Sequence, residues 1–427
     1  MKVLIAGAGL GGLCLAHALR RAGVEVQVLE RRPDPADQPA SYGIHLNGHG
    51  LAALHACLPE ANWKQLIAAA VPALDIVRFH DEHLRELATL DNEPPDAAAD
   101  DAISRRRAVS RGALRDALLL GLNAETRTAD DVIQWNRTVT GYEHTPDGRV
   151  AVHCSDGTET TCDLLVAADG ANSRIRGQRL PGLDRRELGI LNIAGRVPLT
   201  PDLVRELPAT LIDGAVNNIV PRNPGWMFVS TWHLDATADT GSAAGSRSAA
   251  VWAWVGDKTS YPNDVMNRTP AQLRDYVKTR IPGWSPAVHR LLDHTDPATV
   301  APVPLRTMPT LEPWDPSNVT LLGDAIHNMT PMAGIGANIA LRDAAELADA
   351  LLSPGTADEL TRRIGTYEQR MREYANQALA LSTRNARNAA SPKRLPRAAF
   401  RSLLRIAEAA PPIKRKVFNN RPGGPAA

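Results

Sequence analysis

Three glycines near the start of the chain have the spacing of a phosphate-binding turn. Gly7, Gly9 and Gly12 follow the apolar run Val3–Ala6, and Glu30 ends the next strand-like run. In such a turn the first glycine permits a tight bend, the second lets a pyrophosphate approach the backbone, and the third lets a helix pack on its strand. Free N–H groups at the helix N-terminus bind the phosphates, and an acid about 20 residues further on binds a ribose hydroxyl. The pattern predicts a dinucleotide site, and because a carboxylate repels a 2′-phosphate, it favours NAD or FAD over NADP there.

A second segment of the same physical form lies far along the chain, at residues 321–338. It consists of a buried strand, a carboxylate at the strand end in Asp324, a glycine loop and a helix that starts near Gly336. The carboxylate can accept hydrogen bonds from polyol hydroxyls, and the loop Pro331–Gly336 leaves room for a flat ring against the backbone. The helix dipole would stabilise negative charge on that ring. A reduced flavin carries such charge, so this segment favours FAD.

A third segment, at residues 169–176, reads Asp-Gly-Ala-Asn-Ser-Arg-Ile-Arg. With these three segments in this order over about residues 1–355, the chain resembles the class A FAD-dependent aromatic hydroxylases, the p-hydroxybenzoate hydroxylase-like flavoprotein monooxygenases. The resemblance implies an α/β fold. Its parts would be a Rossmann-like FAD-binding domain (the p-hydroxybenzoate hydroxylase-like fold), an antiparallel β-sheet substrate domain and C-terminal helices.

The resemblance also implies which residues bind FAD. Glu30 would bind the adenosine ribose, Arg111 the pyrophosphate region and Asp324 the ribitol side, with residues 336–338 facing the isoalloxazine. The loop 43–46 would flank the flavin, and Asp169 with its glycine would serve both FAD and the nicotinamide cofactor. The expected cofactor-binding set is Gly7, Gly9, Leu10, Gly12, Glu30, Arg31, His45, Leu46, Arg111, Asp169, Asp324, Pro331, Gly334, Gly336, Ala337 and Asn338.

Two of these residues have a structural alternative that the sequence leaves open. Arg111 would then be a solvated arginine on a helix. Asp169 would only cap the turn after it and hold Arg174 or Arg176.

The same alternative applies to the histidines and one cysteine near these segments. His327 is expected to fix its loop rather than transfer protons, and His45 and His49 to pack or hydrogen-bond rather than act catalytically. Cys14, on the helix after the glycine turn, is expected to belong to the core.

The reaction is likewise implied by the resemblance. NADPH or NADH would reduce FAD as a transient reductant, O2 would form a flavin C4a-hydroperoxide, and one oxygen atom would pass to an aromatic or polycyclic small molecule. The sequence singles out no catalytic base and no metal site. An Arg- and Ala-rich composition suggests a GC-rich bacterium and favours secondary metabolism or antibiotic modification.

Two other activities occur on the same fold and stay as alternatives. A flavin-dependent reductase of prenyl double bonds would share the first and last segments. A flavin-dependent halogenase would carry Trp-x-Trp-x-Ile-Pro, whereas Trp252-Ala253-Trp254 is not followed by Ile-Pro.

The elements that must position these residues follow from hydrophobic periodicity. A strand, a helix and a second strand are expected around the first glycine turn, and a long helix after the last. Antiparallel strands are expected in the middle of the chain, where Pro and Gly separate short alternating runs. The remaining predicted elements are a helix from near Gly50, a helix Arg105–Leu122, strands Val150–Cys154, Cys162–Ala168, Gly189–Val197, Asn218–Val220, Trp226–Leu234, Ala249–Gly256 and Val319–Leu322, a helix Gly336–Leu352 and helical sequence from residue 360.

A chain of 427 residues is too long for one core, because single cores stop growing near ~250–300 residues. We expect a discontinuous FAD-binding domain of residues 1–75, 103–182 and 301–355. Residues 76–102 and 183–300 would form the substrate-binding sheet domain, and 356–427 a C-terminal helical segment.

The pocket for the substrate is expected beneath the antiparallel sheet, but its face is not determined. In the strand 226–234, Trp226, Phe228, Ser230 and Trp232 alternate with Met227, Val229, Thr231 and His233. The tryptophans of this strand, together with Trp252 and Trp254, are either core residues or walls that stack on an aromatic substrate.

Charge and composition restrict the partners. The net charge of +1 gives no overall field that attracts nucleic acid. There is no apolar run of about 18 residues, and four cysteines without paired spacing fit a reducing cytoplasm. We expect a cytoplasmic monomer or homodimer. The basic C-terminal helix, with Phe400, Leu403 and Leu404 on one face, either lies on a membrane or docks on its own protein with its arginines in water.

Overall fold

The computed structural model describes residues 1–33, 43–92, 103, 105–122, 131–232, 248–353, 357–410 and 414. The predicted strand residues His233 and Leu234 lie outside this part of the chain. The strands are β1 (Lys2–Ala6), β2 (Glu25–Glu30), β3 (Gly43–Leu46), β4 (Val71–Pro72), β5 (Ile76–His80), β6 (Glu86–Asp91), β7 (Arg107–Ser110), β8 (Ile133–Trp135), β9 (Val139–His144), β10 (Val150–Cys154), β11 (Glu159–Cys162), β12 (Leu164–Ala167), β13 (Arg186–Pro198), β14 (Val216–Ile219), β15 (Trp226–Trp232), β16 (Ala249–Asp257), β17 (Ala301–Thr307) and β18 (Val319–Leu321).

Helices of very different lengths separate these strands. Among the described residues, none is long and apolar enough to cross a bilayer. The helices are α1 (Leu10–Arg21), α2 (Gly48–Cys57), α3 (Glu60–Ala69), α4 (Arg111–Leu119), α5 (Arg174–Arg179), α6 (Pro201–Glu206), α7 (Ala209–Ile212), α8 (Pro270–Arg280), α9 (Pro286–Asp293), α10 (Asp324–His327), α11 (Gly336–Leu352), α12 (Ala357–Ala390) and α13 (Arg394–Ala409).

The chain divides into two compact units, each assembled from three segments. The first comprises residues 1–68, 110–186 and 306–383, and the second 69–109, 187–305 and 384–427. The helical sequence beyond residue 356 therefore does not stand apart as a third unit, because α12 contains the boundary between the other two.

A five-stranded parallel sheet forms the centre of the first unit, in the order β18-β12-β1-β2-β8. Val3, Leu4 and Ile5 of β1 are fully buried, and so are all four residues of β12. Continuous apolar runs of this kind are typical of parallel strands that are covered on both faces. A separate meander of β9, β10 and β11 also belongs to this unit.

The predicted helix Arg105–Leu122 is wrong in its first part. Residues Arg107–Ser110 form strand β7, and α4 begins only at Arg111. The side chain of Ser110 accepts a hydrogen bond from the backbone N–H of Ala113, at 3.0 Å, and so caps the helix. The leucine periodicity that suggested a helix starts at Leu114, inside α4, so it carried no information about the residues before the cap.

The second unit is built on a seven-stranded sheet in the order β17-β13-β16-β15-β14-β5-β6. The predicted antiparallel pairing is confirmed for β13 with β16, β16 with β15 and β15 with β14. β14 pairs with β5 in parallel, so the sheet is mixed at that point.

One face of this sheet is packed by the helices of its own unit. Met227 and Val229 of β15 lie in one apolar cluster with Trp252 and Trp254 of β16, and with side chains of α8 and α9. The indole of Trp252 donates to the hydroxyl of Thr295 at 2.8 Å. Of the two open interpretations, Trp252 and Trp254 are therefore core residues.

Helix α13 docks on its own unit, but with its arginines inward. Arg397 and Arg401 are only 5% and 4% exposed, and they donate to the carbonyl oxygens of Gly225 and Val220. Arg401 also pairs with Glu82 at 2.5 Å. The expected orientation, with these arginines in water, is wrong, because carbonyl oxygens and a carboxylate accept hydrogen bonds from the guanidinium groups inside. The basic residue Lys416 beyond this helix lies outside the described residues.

A buried ionic network fixes the loop after β18. The Nε2 atom of His327 lies 2.6 Å from Oδ2 of Asp343, and both side chains are almost fully buried. The same Oδ2 accepts the backbone N–H of Gly323, and Oδ1 accepts the hydroxyl of Tyr374 at 2.6 Å. Burial alone lowers the pKa of His327, but the Asp343 carboxylate outweighs it and the pKa is raised. His327 thus holds its loop, in agreement with the structural role expected for it.

Replacing Asp343 by asparagine is expected to destabilise the chain strongly. The change removes the charge that compensates a buried imidazolium, and breaking such a pair costs about 3–5 kcal/mol. The thermal midpoint should fall by several degrees. The control is Glu60→Gln, which removes the exposed Glu60–Lys64 pair and should leave the midpoint unchanged. Equal midpoints for Asp343→Asn and wild type would contradict the network.

The raised pKa of His327 also predicts the pH dependence of stability. In the unfolded chain the imidazole loses its proton near pH 6.5, whereas in the folded chain it keeps the proton to higher pH. The stabilisation is therefore complete below about pH 6.5 and is lost as the pH rises through the folded-state pKa. The midpoints of wild type and His327→Gln should differ most near pH 5.5 and converge as the pH rises through the folded-state pKa. A constant difference would rule out the protonated pair.

Candidate cofactor-binding site

Several of the predicted cofactor-binding residues of the first unit lie at one edge of its parallel sheet. Gly7 follows β1, Glu30 ends β2, Asp169 follows β12 and Asp324 follows β18. Because the strands are parallel, their carboxyl ends lie at the same edge, where ligands of open α/β sheets bind. Strands lie about 4.8 Å apart, so roughly 14 Å separates the ends of β18 and β2. The edge therefore suits a long ligand that crosses four strands.

The glycine turn after β1 is shaped by close backbone approaches. Gly7 has a φ of 110°, and a Cβ there would lie 2.4 Å from the carbonyl oxygen of Ala168. A Cβ on Gly12 would lie 2.2 Å from the carbonyl oxygen of Gly7. Gly9 differs, since its nearest neighbour, again the Ala168 oxygen, would be 3.8 Å away. Gly7 and Gly12 thus allow close packing of the backbone, whereas Gly9 leaves the surface beside it free of side-chain atoms.

Helix α1 points its N-terminus at this clear surface. Its N-cap is Gly9, and no side chain caps the helix. The first backbone N–H groups of the helix therefore remain available to an anion, and the helix dipole favours one.

A groove surrounds this helix end and brings together seven of the predicted residues. It encloses about 940 Å³, including space open to solvent. The predicted residues that line it are Gly7, Gly9, Leu10, Glu30, Arg31, Arg111 and Asp169. Further cations that line the groove are Arg32, Arg115, Arg137 and Arg174. So many guanidinium groups beside a free helix N-terminus favour a phosphate-bearing ligand.

Glu30 supports the turn as well as facing the groove. It is 7% exposed, and its two carboxylate oxygens accept the backbone N–H groups of Ala8, at 2.7 Å, and Arg32, at 3.0 Å. A carboxylate has about four acceptor positions, so positions for ribose hydroxyls remain.

Arg115 is a groove residue whose role the sequence analysis missed. Its guanidinium donates to the carbonyl oxygen of Ala8 at 3.0 Å and lies over the ring of Trp135. Burial lowers its pKa, although the charge of Glu30 opposes the shift. The sequence signal was its place one turn after Arg111 on α4, but only the fold shows that Arg115 is buried while Arg111 is exposed.

Asp169 has one oxygen engaged and one without a partner. Oδ2 accepts the backbone N–H of Arg174 at 3.1 Å, which is the capping contact considered above. Oδ1 is buried and has no hydrogen-bond partner among the described residues. Burial raises the pKa of this carboxyl group. A buried acceptor without a partner beside the groove fits a ligand that supplies a hydroxyl donor.

The predicted residues of the last segment form a second group, away from the lining of the groove. Asp324 is exposed at the start of α10, and Gly323 before it has a φ of 62°. Pro331 and Gly334 lie in the loop that leads to α11, and Gly334 has a φ of 66°. Gly336 begins α11, which no side chain caps.

The side chain of Asn338, one of the residues expected to face the flavin ring, is engaged within the protein. It is 2% exposed; its Oδ1 accepts the N–H of Asn47, and its Nδ2 donates to the carbonyl oxygen of His45, both at 2.9 Å. The amide thus joins α11 to His45 and Asn47. The segment 43–46, which was expected to be a loop, forms strand β3. Leu46 is fully buried, so only its backbone can face a ligand.

The remaining side chains near these segments have structural positions. Cys14 is fully buried, which confirms its place in the core, and a hydrogen bond with Cys57, burial and the charge of Cys57 raise its pKa. His49 is exposed in the first turn of α2. Asp343 and Tyr374 were missed by the sequence analysis. The available signal was a carboxylate on the apolar face of α11, four residues before Leu347.

Comparison with known proteins agrees with this geometry. A domain model for an FAD binding domain matches residues 116–382, and one for an NAD(P)-binding Rossmann-like domain matches residues 5–69. A solved structure from Photorhabdus luminescens subsp. laumondii, provisionally named an FAD-containing monooxygenase, is 39% identical, with a TM-score of 0.80. The match covers 91% of this chain and 98% of that one.

Curated relatives are more distant in sequence. The aurachin C monooxygenase/isomerase of Stigmatella aurantiaca is 27% identical over 385 residues, covering 90% of this chain and 88% of the relative. A dual O-methyltransferase/FAD-dependent monooxygenase of Cercospora beticola is 27% identical over 402 residues, covering 87% of this chain. This chain spans 44% of that relative's length.

These matches confirm the predicted fold class and FAD as the predicted cofactor. They also confirm the resemblance from which both were inferred. The chain belongs to the family of FAD-dependent, p-hydroxybenzoate hydroxylase-like monooxygenases.

Proposed function

We propose that this chain uses FAD, O2 and NADPH or NADH to insert one oxygen atom into an aromatic or polycyclic small molecule. The observation that carries the proposal is the groove at the carboxyl edge of the parallel sheet, lined by the glycine turn, Glu30 and Asp169. Family membership supports the reaction type.

The residues of the groove fit the adenosine diphosphate part of FAD. The N–H groups of α1, with Arg111 nearby, would bind the pyrophosphate over Gly9. Glu30 would accept from the adenosine ribose, and the unpartnered oxygen of Asp169 would accept from a further hydroxyl group. Asp324 would bind the ribitol side, and the backbone of residues 334–337 would lie against the flavin ring.

When bound, the flavin supplies the redox chemistry and the reaction with O2, and the protein binds and orients it. Glu30 and Arg115 hold the backbone of the glycine turn through Ala8. Asn338 holds strand β3, and the His327–Asp343 pair holds the loop after β18; both segments are expected at the ring. We assign no catalytic base.

The reductant belongs to the proposal as well. The match to an NAD(P)-binding Rossmann-like domain covers residues 5–69, the segment that contains the glycine turn of the FAD groove. The sequence has no second glycine fingerprint, so the nicotinamide cofactor would bind transiently, with the Asp169 segment contributing.

We propose a role in secondary metabolism or antibiotic modification. The proposal starts from the Arg- and Ala-rich composition, and a relative named as an aurachin C monooxygenase/isomerase supports a small-molecule substrate. We also propose a cytoplasmic location and a monomer or homodimer. All four cysteines are buried free thiols, which suits a reducing compartment.

The reaction is tested with the purified yellow protein and a panel of aromatic and polycyclic compounds that includes aurachin C. A substrate should accelerate NADPH or NADH oxidation, and under ¹⁸O2 its product should gain one labelled oxygen atom. Turnover without O2 would favour the reductase alternative, and a requirement for halide would favour the halogenase. Product formation without label would refute the monooxygenase proposal.

Gly9→Val tests the groove without disturbing the fold. A Cβ at Gly9 meets nothing closer than 3.8 Å, and its φ of −77° suits any residue, so the apoprotein should keep its thermal midpoint. The valine side chain would occupy the surface over which the pyrophosphate passes. We expect FAD affinity to fall on the order of 100-fold, about 2.7 kcal/mol, as measured by fluorescence titration of the apoprotein.

The matched control is Gly177→Ala. Gly177 does not line the groove, and a Cβ added there meets nothing within 4 Å. Its FAD affinity should equal that of wild type. Unchanged FAD affinity in Gly9→Val would place the pyrophosphate elsewhere.

A further inference from the structure

The sheet of the second unit has a second face, opposite its apolar core. We call it the Asn192 face. Its side chains are Asn192, Ala194 and Arg196 of β13, Val251, Ala253 and Val255 of β16, and Trp226, Phe228, Ser230 and Trp232 of β15.

Contacts within the unit cover the two ends of the Asn192 face. At one end, Trp232 and Val251 pack in a small cluster with Ala108. At the other, the ring of Trp226 stacks on Phe400 of α13, with centroids 6.0 Å apart. Between these two ends lie Asn192, Ala194 and Ala253, which are 6%, 7% and 8% exposed.

The middle of the Asn192 face has a flat floor of small side chains. Ala194 is paired with Ala253, and Ala253 with Phe228, across three adjacent strands. Two methyl groups beside one aromatic ring offer a shallow apolar surface on which a planar ring can lie.

Asn192 stands next to this floor and has no hydrogen-bond partner. It is only 6% exposed, its Oδ1 is buried, and its amide makes no hydrogen bond within the described part of the chain. The nearby indole N–H of Trp226 is already bound to Asn218 at 3.0 Å. Leaving a buried amide unsatisfied is destabilising, so such a group signals a missing partner.

The chemistry of the amide defines that partner. A primary amide offers a donor and an acceptor side by side, and its complement is a group with an acceptor next to a donor. A ring lactam, with N–H beside C=O, has this arrangement, as does its hydroxy-imine tautomer. Asparagine pairs in the same two-bond way with a heteroaromatic edge when it reads adenine.

We propose that Asn192 determines specificity by reading the lactam edge of a heteroaromatic substrate whose ring lies over Ala194 and Ala253, beside Phe228. This rests on the proposed function, since it names the substrate class of the same reaction. In this proposal Asn192 binds the substrate and takes no part in the chemical step.

The test measures binding by calorimetry to the FAD-loaded protein, which requires no turnover. The probes are 2(1H)-quinolone and 2(1H)-pyridone, each paired with its N-methyl form, which lacks the donor. Wild type should prefer each lactam over its N-methyl form by about 10-fold or more. Asn192→Leu should abolish this preference by weakening the lactam alone, while FAD content stays unchanged.

Two further variants separate recognition from folding. Asn263→Leu replaces an exposed amide of the same unit and should keep the preference. Ala253→Leu fills the floor and should weaken all four probes together. The thermal midpoint of Asn192→Leu should equal or exceed that of wild type, because an unsatisfied buried amide is removed.

The possible outcomes are distinct. If wild type binds each pair equally, fails to bind the lactams, or keeps its preference in Asn192→Leu, the assignment is overturned. If the preference depends on Asn192 but no oxygen transfer is found with any compound, the recognition site stands and the proposed function fails.

Discussion

The close contact of α1 with the β1–β12 strand pair is the constraint on which the groove at the carboxyl edge of the sheet depends. Gly12 touches the carbonyl oxygen of Gly7, and Gly7 touches that of Ala168, with no room for a side chain at either place. This packing sets the N-terminus of α1 against the strand ends. A larger residue at either glycine would move the helix away, and its free N–H groups would no longer face the groove.

Sequence patterns predicted this part of the fold because its signals are local. Glycine spacing, the buried strand before it and the acid at the end of β2 lie within one short stretch. The last segment was equally readable, and the predicted helix Gly336–Leu352 has the observed bounds. Contacts between residues that are far apart in the sequence could not be predicted. Tyr374 meets Asp343 from another helix, and Arg115 reaches Ala8 from a distant segment.

Two errors show where pattern analysis fails. The strand β7 has only four residues and continues directly into a helix, and periodicity cannot distinguish the two over so short a stretch. Ser110, as a capping residue, was the better signal. In α13, the arginines were placed in water because of their residue type alone. Arg397 and Arg401 are buried there because backbone carbonyl oxygens of their own unit accept their protons, which no amphipathic pattern records. The parallel pairing of β14 with β5 likewise depends on residues far apart in the chain.

The first unit is assembled from three segments that are widely separated along the polypeptide. During synthesis, β12 can pair with β1 early, but its other edge stays uncovered until β18 emerges from the ribosome. Glu30, Asp169 and Asp324 therefore become neighbours along one sheet edge only late in translation. Such non-local closure slows folding and exposes an apolar strand edge in the meantime. Nascent chains should accordingly depend on chaperones, and FAD, by binding only the closed edge, would trap the completed fold.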